Sequence, residues 1–272
     1  EPSEEDIFPV GTAGRVMRKL LEEMKDIEIV QQAKESFNRI IDNKTYANII
    51  KDDNHLSEIM DLIEESNYRR ILDIGTGTGY LAFPLAERFP KSTVCGIDIA
   101  DAIIQKNNEI VKEKGITNLS FEVFDGLNYL FEDESVDLIV TRYAFHHFPN
   151  VQDAIRQMHR ILAKGGKILV SDPMRNEKDI NGVIDDFMRV KKDGHIQFYS
   201  AKELDEMFID SGFIKDEQLI TEMKFPFAPK SEYVDVYNKT GDEDRAMYSI
   251  VNESGTVWVK HIDVGNTVYM KA

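Results

Sequence analysis

Residues 70–79 have the sequence RILDIGTGTG, a short apolar run that passes directly into three closely spaced glycines. A run of this kind is typical of a buried strand, and the next residues, YLAFPLAERF (80–89), are typical of a helix. Glycines between a strand and a helix let the backbone turn tightly and approach a ligand closely. The stretch therefore predicts a strand, a ligand-binding loop and a helix.

The alternation of strand and helix continues on the C-terminal side of this loop. Apolar runs recur at 93–99, 118–126, 136–143 and 167–173, roughly every 25 residues, with helical patterns between most of them. This spacing leaves room for crossover helices, which place successive strands parallel in one sheet covered on both faces. We therefore predict an α/β fold built on a mostly parallel sheet.

The segments on either side of this region have different patterns. Residues 1–53 combine an acidic tail with helical periodicity, and we expect them to form a helical cap or lid. One apolar stripe follows the helix: Ile29, Ala33, Phe37, Ile40 and Ile41. Residues 54–272 are expected to form the main domain, with a charged helical insertion at about 228–256. Alternating apolar residues around Gly265-Asn266 predict a terminal hairpin or two extended segments.

Composition and charge exclude several classes of protein. Lys and Arg number 33 against 49 Asp and Glu, and the net charge of −16 disfavours binding to nucleic acid or anionic lipid. The single cysteine, Cys95, allows neither an intrachain disulfide nor a cysteine-based zinc site. No apolar run approaches the ~20 residues that span a bilayer, and the acidic start EPSEEDIFPV does not resemble a signal peptide. We expect a cytoplasmic protein without membrane insertion.

Acidic residues or glycines stand at the ends of three successive predicted strands. Asp73 ends the first strand, Asp98 the second and Asp125-Gly126 the third. A carboxylate at such a position can accept hydrogen bonds from both ribose hydroxyls, as expected for Asp98, or from an exocyclic amine. Because the carboxyl ends of parallel strands form the ligand-binding edge of an open sheet, these residues predict one nucleoside-binding cleft.

The glycine spacing separates two kinds of nucleotide-binding loop. A dinucleotide loop has the pattern G-x-G-x-x-G, whereas this chain has G-x-G-x-G with Tyr80 at the position of the last glycine. The pattern resembles motif I of class I S-adenosylmethionine (SAM)-dependent methyltransferases of the UbiE-like, small-molecule type. The resemblance covers about residues 54–227. Its other elements are VDLIVTRYAFHHF (136–148), RILAKGGKILVSDP (160–173) and HIQFYSAKELDEMFIDSGF (195–213).

This resemblance implies a Rossmann-like sheet of seven strands, the last of them antiparallel, with SAM across the strand ends and S-adenosylhomocysteine (SAH) as product. Its implied contacts with the methionine part are Asp73, Gly75, Thr76, Gly77 and Gly79. It places Ile99 on the adenine ring beside the ribose-binding Asp98, and Asp125 with Gly126 at the adenine edge. Thr141 and Arg142 are expected beneath the sulfur.

The pair His146-His147 follows the fourth strand, near the expected position of the methyl group. Neighbours on an extended segment point to opposite sides, so the pair is not expected to chelate, and we predict no metal site. A neutral imidazole has a suitable pKa for a base, and Tyr143 is a candidate to orient the acceptor. His195 is a candidate to line the cleft, whereas His55 is expected at the surface.

The sequence favours methyl transfer to a small-molecule acceptor with an oxygen, nitrogen or carbon nucleophile. A methyltransferase acting on RNA or protein is the alternative, and the net charge argues against RNA. A Rossmann NAD(P)-dependent oxidoreductase is disfavoured by Tyr80. The acceptor and its methylated atom stay open, and a homodimer is compatible with these expectations.

Overall fold

The computed structural model describes residues 12–40, 52–226 and 231–272. The tail predicted for 1–10 and the side chains of Ile40 and Ile41 lie outside what is described. The helices are α1 Thr12–Ile40, α2 Asp53–Asp61, α3 Ala82–Arg88, α4 Asp101–Lys114, α5 Val151–Ile161, α6 Val183–Arg189, α7 Ala201–Asp210, α8 Ser231–Lys239 and α9 Asp242–Met247. None of these helices combines the length and the apolar composition needed to cross a membrane.

One sheet organises the described chain. Its strands are β1 Arg70–Ile74, β2 Thr93–Asp98, β3 Leu119–Val123, β4 Val136–Arg142, β5 Leu162–Pro173, β6 Phe213–Pro226, β7 Ile250–Glu253 and β8 Thr256–Lys271. The order is β3-β2-β1-β4-β5-β8-β6, and β8 runs antiparallel to both β5 and β6. The predicted α/β fold with an antiparallel last strand is confirmed. The sheet has eight strands in the described residues rather than seven because β7 pairs with the start of β8.

Helices cover the sheet on both faces, as the continuous apolar strands require. Ile139 of β4 packs with α5 and α7 in one buried cluster that includes Ile155 and Phe208. Its neighbour Leu138 points to the opposite face and packs in a second cluster with α2, α3 and α4. The loops at the carboxyl ends of β1 to β4 are therefore carried by elements that are fixed from both sides.

The predicted turn at Gly265-Asn266 is wrong, because β8 is one strand of sixteen residues. Gly265 pairs with Asp172 of β5 on one side and with Ile220 of β6 on the other. Asn266 is fully buried, and its amide donates to the backbone oxygen of Leu219 at 3.1 Å. The two turn-type residues sit in a central strand because the pairing and the burial of Asn266 outweigh their local preference.

The insertion predicted at 228–256 is helical only in its first part. It contains α8 and α9, and then β7, which forms an antiparallel pair with residues 256–259. Tyr233 of α8 and Tyr248 after α9 are buried in a third apolar cluster with Phe187 of α6. This cluster fastens the insertion to the main domain. The boundary proposed between residues 53 and 54 stays a prediction.

Candidate active site

The glycine loop after β1 is pinned to the end of β2. The backbone N–H groups of Gly75 and Thr76 both donate to the carbonyl oxygen of Ile97, at 2.9 and 3.0 Å. Gly75, Gly77 and Gly79 have φ angles of 69°, 51° and 77°, a region that favours glycine. The loop therefore has its shape because of these three glycines.

Gly75 and Gly77 have different surroundings and different roles in the loop. A Cβ added at Gly75 would lie well inside 3.0 Å of the Cβ of Ala144, so this glycine permits the loop to pack against the segment after β4. A Cβ at Gly77 would meet no heavy atom within 4 Å, so the backbone there borders open space. The loop is thus anchored at Gly75 and free to receive a ligand at Gly77.

Asp73 lies at the end of β1 and is only 2% exposed. Its Oδ2 accepts a hydrogen bond from Oγ1 of Thr76 at 2.7 Å. Burial raises the pKa of Asp73 to about 7, and the neighbouring Asp98 adds to the rise. A carboxyl group held in this way costs stability in the free protein and is available to a cationic ligand group.

We expect Asp73→Asn to change how the stability of the free protein depends on pH. An unfolded aspartate titrates near 3.9, so between about pH 4 and pH 7 the folded protein keeps a proton that the unfolded chain has lost, and wild-type stability falls as the pH rises. Asp73→Asn has no carboxyl group that titrates at this position, so its stability does not fall with pH for this reason. It should therefore gain about 2–3 kcal/mol relative to wild type between pH 5 and pH 8. Urea unfolding at both pH values measures this, and an equal difference at both would contradict the buried titration.

Asp98 connects the loop with the start of α4. Its Oδ2 accepts from the backbone N–H of Gly77 at 2.8 Å and its Oδ1 from that of Ala100 at 2.9 Å. Asn107 of α4 donates to the carbonyl oxygen of Gly77 at 2.8 Å, which fixes the same loop from the other side. Each carboxylate oxygen has a second lone pair, so Asp98 retains two acceptor positions for ligand hydroxyls. Burial raises its pKa.

These residues line a cleft that is partly open to solvent. Its wall contains the following predicted site residues: Asp73, Gly75, Thr76, Gly77, Asp98, Ile99, Gly126, Arg142, Tyr143 and His147. The opposite wall is α1, through Val30, Ala33 and Phe37. Two members of the predicted α1 stripe, Ala33 and Phe37, thus face the cleft.

Four predicted residues lie off the cleft wall. Asp125 is exposed, and its Oδ1 accepts from the backbone N–H groups of Leu127 and Asn128 at 2.8 and 2.6 Å, so it holds its own turn. Thr141 is 1% exposed, and its hydroxyl has no hydrogen-bond partner among the described residues. Gly79 and His146 lie behind the wall. Cofactor roles for Gly79, Asp125 and Thr141 stay predictions.

The two neighbouring histidines have different environments. They form a 3-10 turn with Phe145 rather than the expected extended segment, and their ring centroids are 4.1 Å apart. Nδ1 of His146 lies 2.9 Å from Oδ2 of the buried Asp172. Nδ1 of His147 is buried and has no hydrogen-bond partner among the described residues. Burial lowers the pKa of His147 to about 3, far below the pKa that the sequence prediction of a base assumed. His147 is therefore a neutral acceptor on the cleft wall, and His146 supports it from behind.

The sequence prediction for His55 is wrong. His55 is 6% exposed, and its Nε2 lies 3.0 Å from Oδ1 of Asn266 in the centre of the sheet. Its Nδ1 faces the guanidinium of Arg142 at 3.2 Å. The cap residue Asp52 fixes the start of α2 and is recognisable in the sequence. The hydrogen-bond partner of His55, however, lies 211 residues away, so no local pattern predicts that His55 is buried. His195 is bonded to Asp185 at 2.7 Å and lies behind His147, not on the wall.

Helix α1 is seated on the cleft by close contacts. A Cβ on Gly194 would lie 2.5 Å from the Cβ of Ala33, so the loop after α6 approaches α1 closely. On the other side, Asn38 donates to Oδ1 of Asp101 at 2.7 Å and Lys34 lies 3.4 Å from its Oδ2. These contacts join α1 to the start of α4, beside Asp98.

Comparisons with known proteins agree with this geometry. A family model described as a methyltransferase domain matches residues 65–212. "Uncharacterized methyltransferase YcgJ" of Bacillus subtilis (strain 168) is 32% identical over 144 residues, which is 51% of this chain and 54% of that protein. A demethylmenaquinone methyltransferase of Thermus thermophilus is 33% identical over 111 residues, 41% of this chain and 50% of the relative. The chain thus spans about half the length of the curated relatives it matches.

The fold is also that of a solved relative. The crystal structure of the Bacillus subtilis YcgJ protein superposes with a TM-score of 0.73 at 22% identity, and covers 81% of this chain and 99% of the other. The cofactor of the family is SAM, and the residues present fit it. Gly77 borders open space next to the two free acceptor positions of Asp98, and Ile99 offers an apolar surface beside them. Because the family model matches more than half of this chain, the chain belongs to the class I SAM-dependent methyltransferases.

Proposed function

We propose that this chain transfers the methyl group of SAM to a small, largely apolar acceptor. The observation that carries the proposal is the composition of one cleft. Strand-end carboxylates and a glycine loop form one wall, while Phe37 of α1, Phe148 and the neutral His147 form the part next to it. The first wall suits a nucleoside with an amino-acid tail, and the second suits an apolar molecule with one protic group.

Bound SAM supplies an electrophilic methyl group, so the protein has to align the acceptor and exclude water rather than form a covalent intermediate. Asp98 would accept from the ribose hydroxyls, and Asp73 with the loop would hold the methionine part. Helix α1 would act as the lid. Its side chains Val30 and Ala33 line the cleft, and its C-terminal turns are approached by Gly194 at Ala33 and tied to Asp101 through Lys34.

His147 is the residue that we propose to receive the acceptor's proton. The imidazole is hydrogen-bonded to the backbone of Gly194 in a way that favours its protonated form, which makes its Nε2 the donor. Nδ1 then carries a lone pair that has no partner among the described residues; the atom is buried in the free protein, and we propose that a hydroxyl of the bound acceptor reaches it from the cleft. An oxygen that has just gained a methyl group is strongly acidic, so even a weak base can take its proton, whereas a methylated amine is a weak acid and would lose its proton to solvent instead. His146, bonded to Asp172, keeps the turn that holds His147 in place.

Several observations favour a small acceptor over a macromolecule. A net charge of −16 opposes contact with RNA. The depression next to the cleft is lined by four acids, Glu22, Glu23, Asp26 and Asp153, against two cations, Lys19 and Arg156, so its excess negative charge would repel a phosphate backbone. The relative named as a demethylmenaquinone methyltransferase supports an apolar ring compound as the class of acceptor. A homodimer stays a prediction.

The proposal is tested by binding and by transfer. Calorimetry should show binding of SAM and SAH in the micromolar range, about −8 kcal/mol, and none of NAD. Incubation with methyl-labelled SAM and fractionated cell extract should then label a small organic-soluble compound, which mass spectrometry identifies. Binding of NAD without SAM would favour the oxidoreductase, and label found only in RNA or protein would overturn the small-molecule acceptor.

With the acceptor in hand, we expect His147→Ala to lower kcat by about 100-fold while the affinity for SAH changes little. The reason is that Nδ1 of His147 meets the acceptor and not the cofactor. Because the pKa of His147 is lowered to about 3, the neutral form is present throughout pH 5–9, and this residue should add no step to the pH profile there. His159→Ala, on α5 against Phe213, is the matched control. A step with a midpoint near 6.5 that is present in wild type and absent from His147→Ala would contradict this role, whereas a step shared by both belongs to another group such as Asp73.

A further inference from the structure

Arg142 stands on the cleft wall between two aromatic rings. Its guanidinium carbon lies 3.9 Å from the centroid of Tyr80 and 3.9 Å from that of Tyr143. Tyr80 follows the glycine loop and Tyr143 follows β4, so two separate segments of the cleft wall contact the same cation. Two rings at this distance restrict the plane of the guanidinium, which then offers its edge in a fixed direction.

The edge of this guanidinium has little to bond to. Among the described residues, Nε and Nη2 lie 3.4 and 3.2 Å from Nδ1 of His55, and the Tyr143 hydroxyl, itself 3.4 Å from that Nδ1, is a second hydrogen-bond partner. Within the same described ranges no carboxylate forms an ion pair with it, although its charge offsets a small part of the rise in the pKa of Asp73. A guanidinium has five N–H donors, so most of its donors are unused inside a cleft.

His55 contributes a fixed neutral acceptor and no negative charge. Burial lowers its pKa. Oδ1 of Asn266 also accepts from the hydroxyl of Ser171 at 2.8 Å, so Nε2 of His55 must donate to it and Nδ1 carries the lone pair that faces Arg142. The chain of bonds from β8 through His55 therefore positions Arg142 without neutralising it.

We propose that Arg142 is the receptor for a carboxylate of the ligand that fills the cleft. A planar fork with free donors matches the two oxygens of a carboxylate, and no carboxylate of residues 12–40, 52–226 or 231–272 pairs with it, which leaves that position to the ligand. The inference rests on the proposed function, because the carboxylate has two sources there. It belongs either to the methionine part of SAM or to the acceptor.

The first experiment compares SAH with its decarboxylated analogue by calorimetry, on wild type and on Arg142→Met. If the methionine carboxylate is the ligand, wild type loses about tenfold or more in affinity when the carboxylate is removed, and the variant binds the two compounds equally. Arg142→Lys keeps the charge and loses the fork, and should fall between them. Arg156→Met removes an exposed arginine of α5 outside the cleft wall and should behave as wild type.

The second experiment tests the acceptor as the source. Benzoate is titrated into the free protein and into its SAH complex. If the acceptor supplies the carboxylate, Arg142→Met leaves the affinity for SAH unchanged, and benzoate protects the wild type but not the variant against thermal unfolding. Arg142→Lys again provides a variant with the charge retained if Arg142→Met proves unstable.

The outcomes separate the two proposals. If SAH binds, and neither the decarboxylated analogue nor benzoate distinguishes wild type from Arg142→Met and Arg142→Lys, Arg142 is only a structural link between the two tyrosines and the inference is wrong. If wild type binds no SAH, the proposed function fails. The benzoate titration of the free protein then decides the carboxylate site by itself.

Discussion

Replacing Asp98 with alanine is expected to weaken the binding of SAH by about 100-fold or more. Two charge-assisted hydrogen bonds to the ribose would be lost, each worth roughly 1.5–3 kcal/mol. Calorimetry on both proteins measures the change. The free variant should also be less stable than wild type, because the backbone N–H groups of Gly77 and Ala100 lose the acceptor that they share.

A cycle with 2′-deoxy-SAH separates the ribose contact from the loss of loop structure. Wild type should lose about tenfold or more when the 2′-hydroxyl is removed, whereas Asp98→Ala should bind both compounds equally weakly. Asp98→Asn is the second variant, since it retains one oxygen acceptor for the loop. If the 2′-hydroxyl matters equally in wild type and both variants, Asp98 only caps the loop and does not bind ribose.

The second large effect is expected for Gly75→Ala, which should lower the free energy of unfolding by about 2–5 kcal/mol. A φ of 69° costs an alanine about 1–2 kcal/mol, and the added Cβ would overlap Ala144, which costs roughly 1–3 kcal/mol more. Urea unfolding without ligand measures the total. Binding of SAH should weaken as well, because the loop cannot keep its position against the segment after β4.

Two variants isolate the overlap from the backbone strain. Gly115→Ala at the end of α4 has a similar φ of 64° and no heavy atom within 4 Å of the added Cβ, so it should lose only about 1–2 kcal/mol. Ala144→Gly in the Gly75→Ala background removes the overlapping atom and should restore part of the stability. If Gly75→Ala and Gly115→Ala cost the same, the close packing at Gly75 carries no energy.

The predictions for Asp98 and Gly75 both concern groups that destabilise the protein when no ligand is bound. Asp73 and Asp98 are buried acids with raised pKa values, and the glycine loop has a backbone that other residues adopt with strain. The buried acids and the strained loop lower the stability of the free protein. They are retained because ligand binding at this edge of the sheet needs negative charge and a backbone that approaches the ligand closely. We therefore expect SAH to stabilise wild type and not Asp98→Ala in the same unfolding experiments.

Local sequence patterns are enough to predict the sheet and most of the residues at its carboxyl edge. Residues 70–79 and 93–99 carry local patterns, an apolar run followed by glycine or acid, whose period and length depend little on distant parts of the chain. Parallel pairing then places the strand ends together, so Asp73, Asp98 and Asp125-Gly126 are predicted on one cleft, and of these only Asp125 lies off its wall. The antiparallel last strand came from the family resemblance of residues 54–227 rather than from any local pattern.

The environment of a side chain whose partners are distant in sequence is seen only in the tertiary structure. The environments of His146 and His147 differ because Asp172 is paired with one and a cavity faces the other, which no local pattern contains. His55 is buried because Asn266, 211 residues away, lies in a strand that the turn-like pair Gly265-Asn266 did not predict. Arg142 is held between Tyr80 and Tyr143 for the same reason. Burial and pairing of this kind are set by the packing of whole elements, and so they outweigh the preferences of single residues.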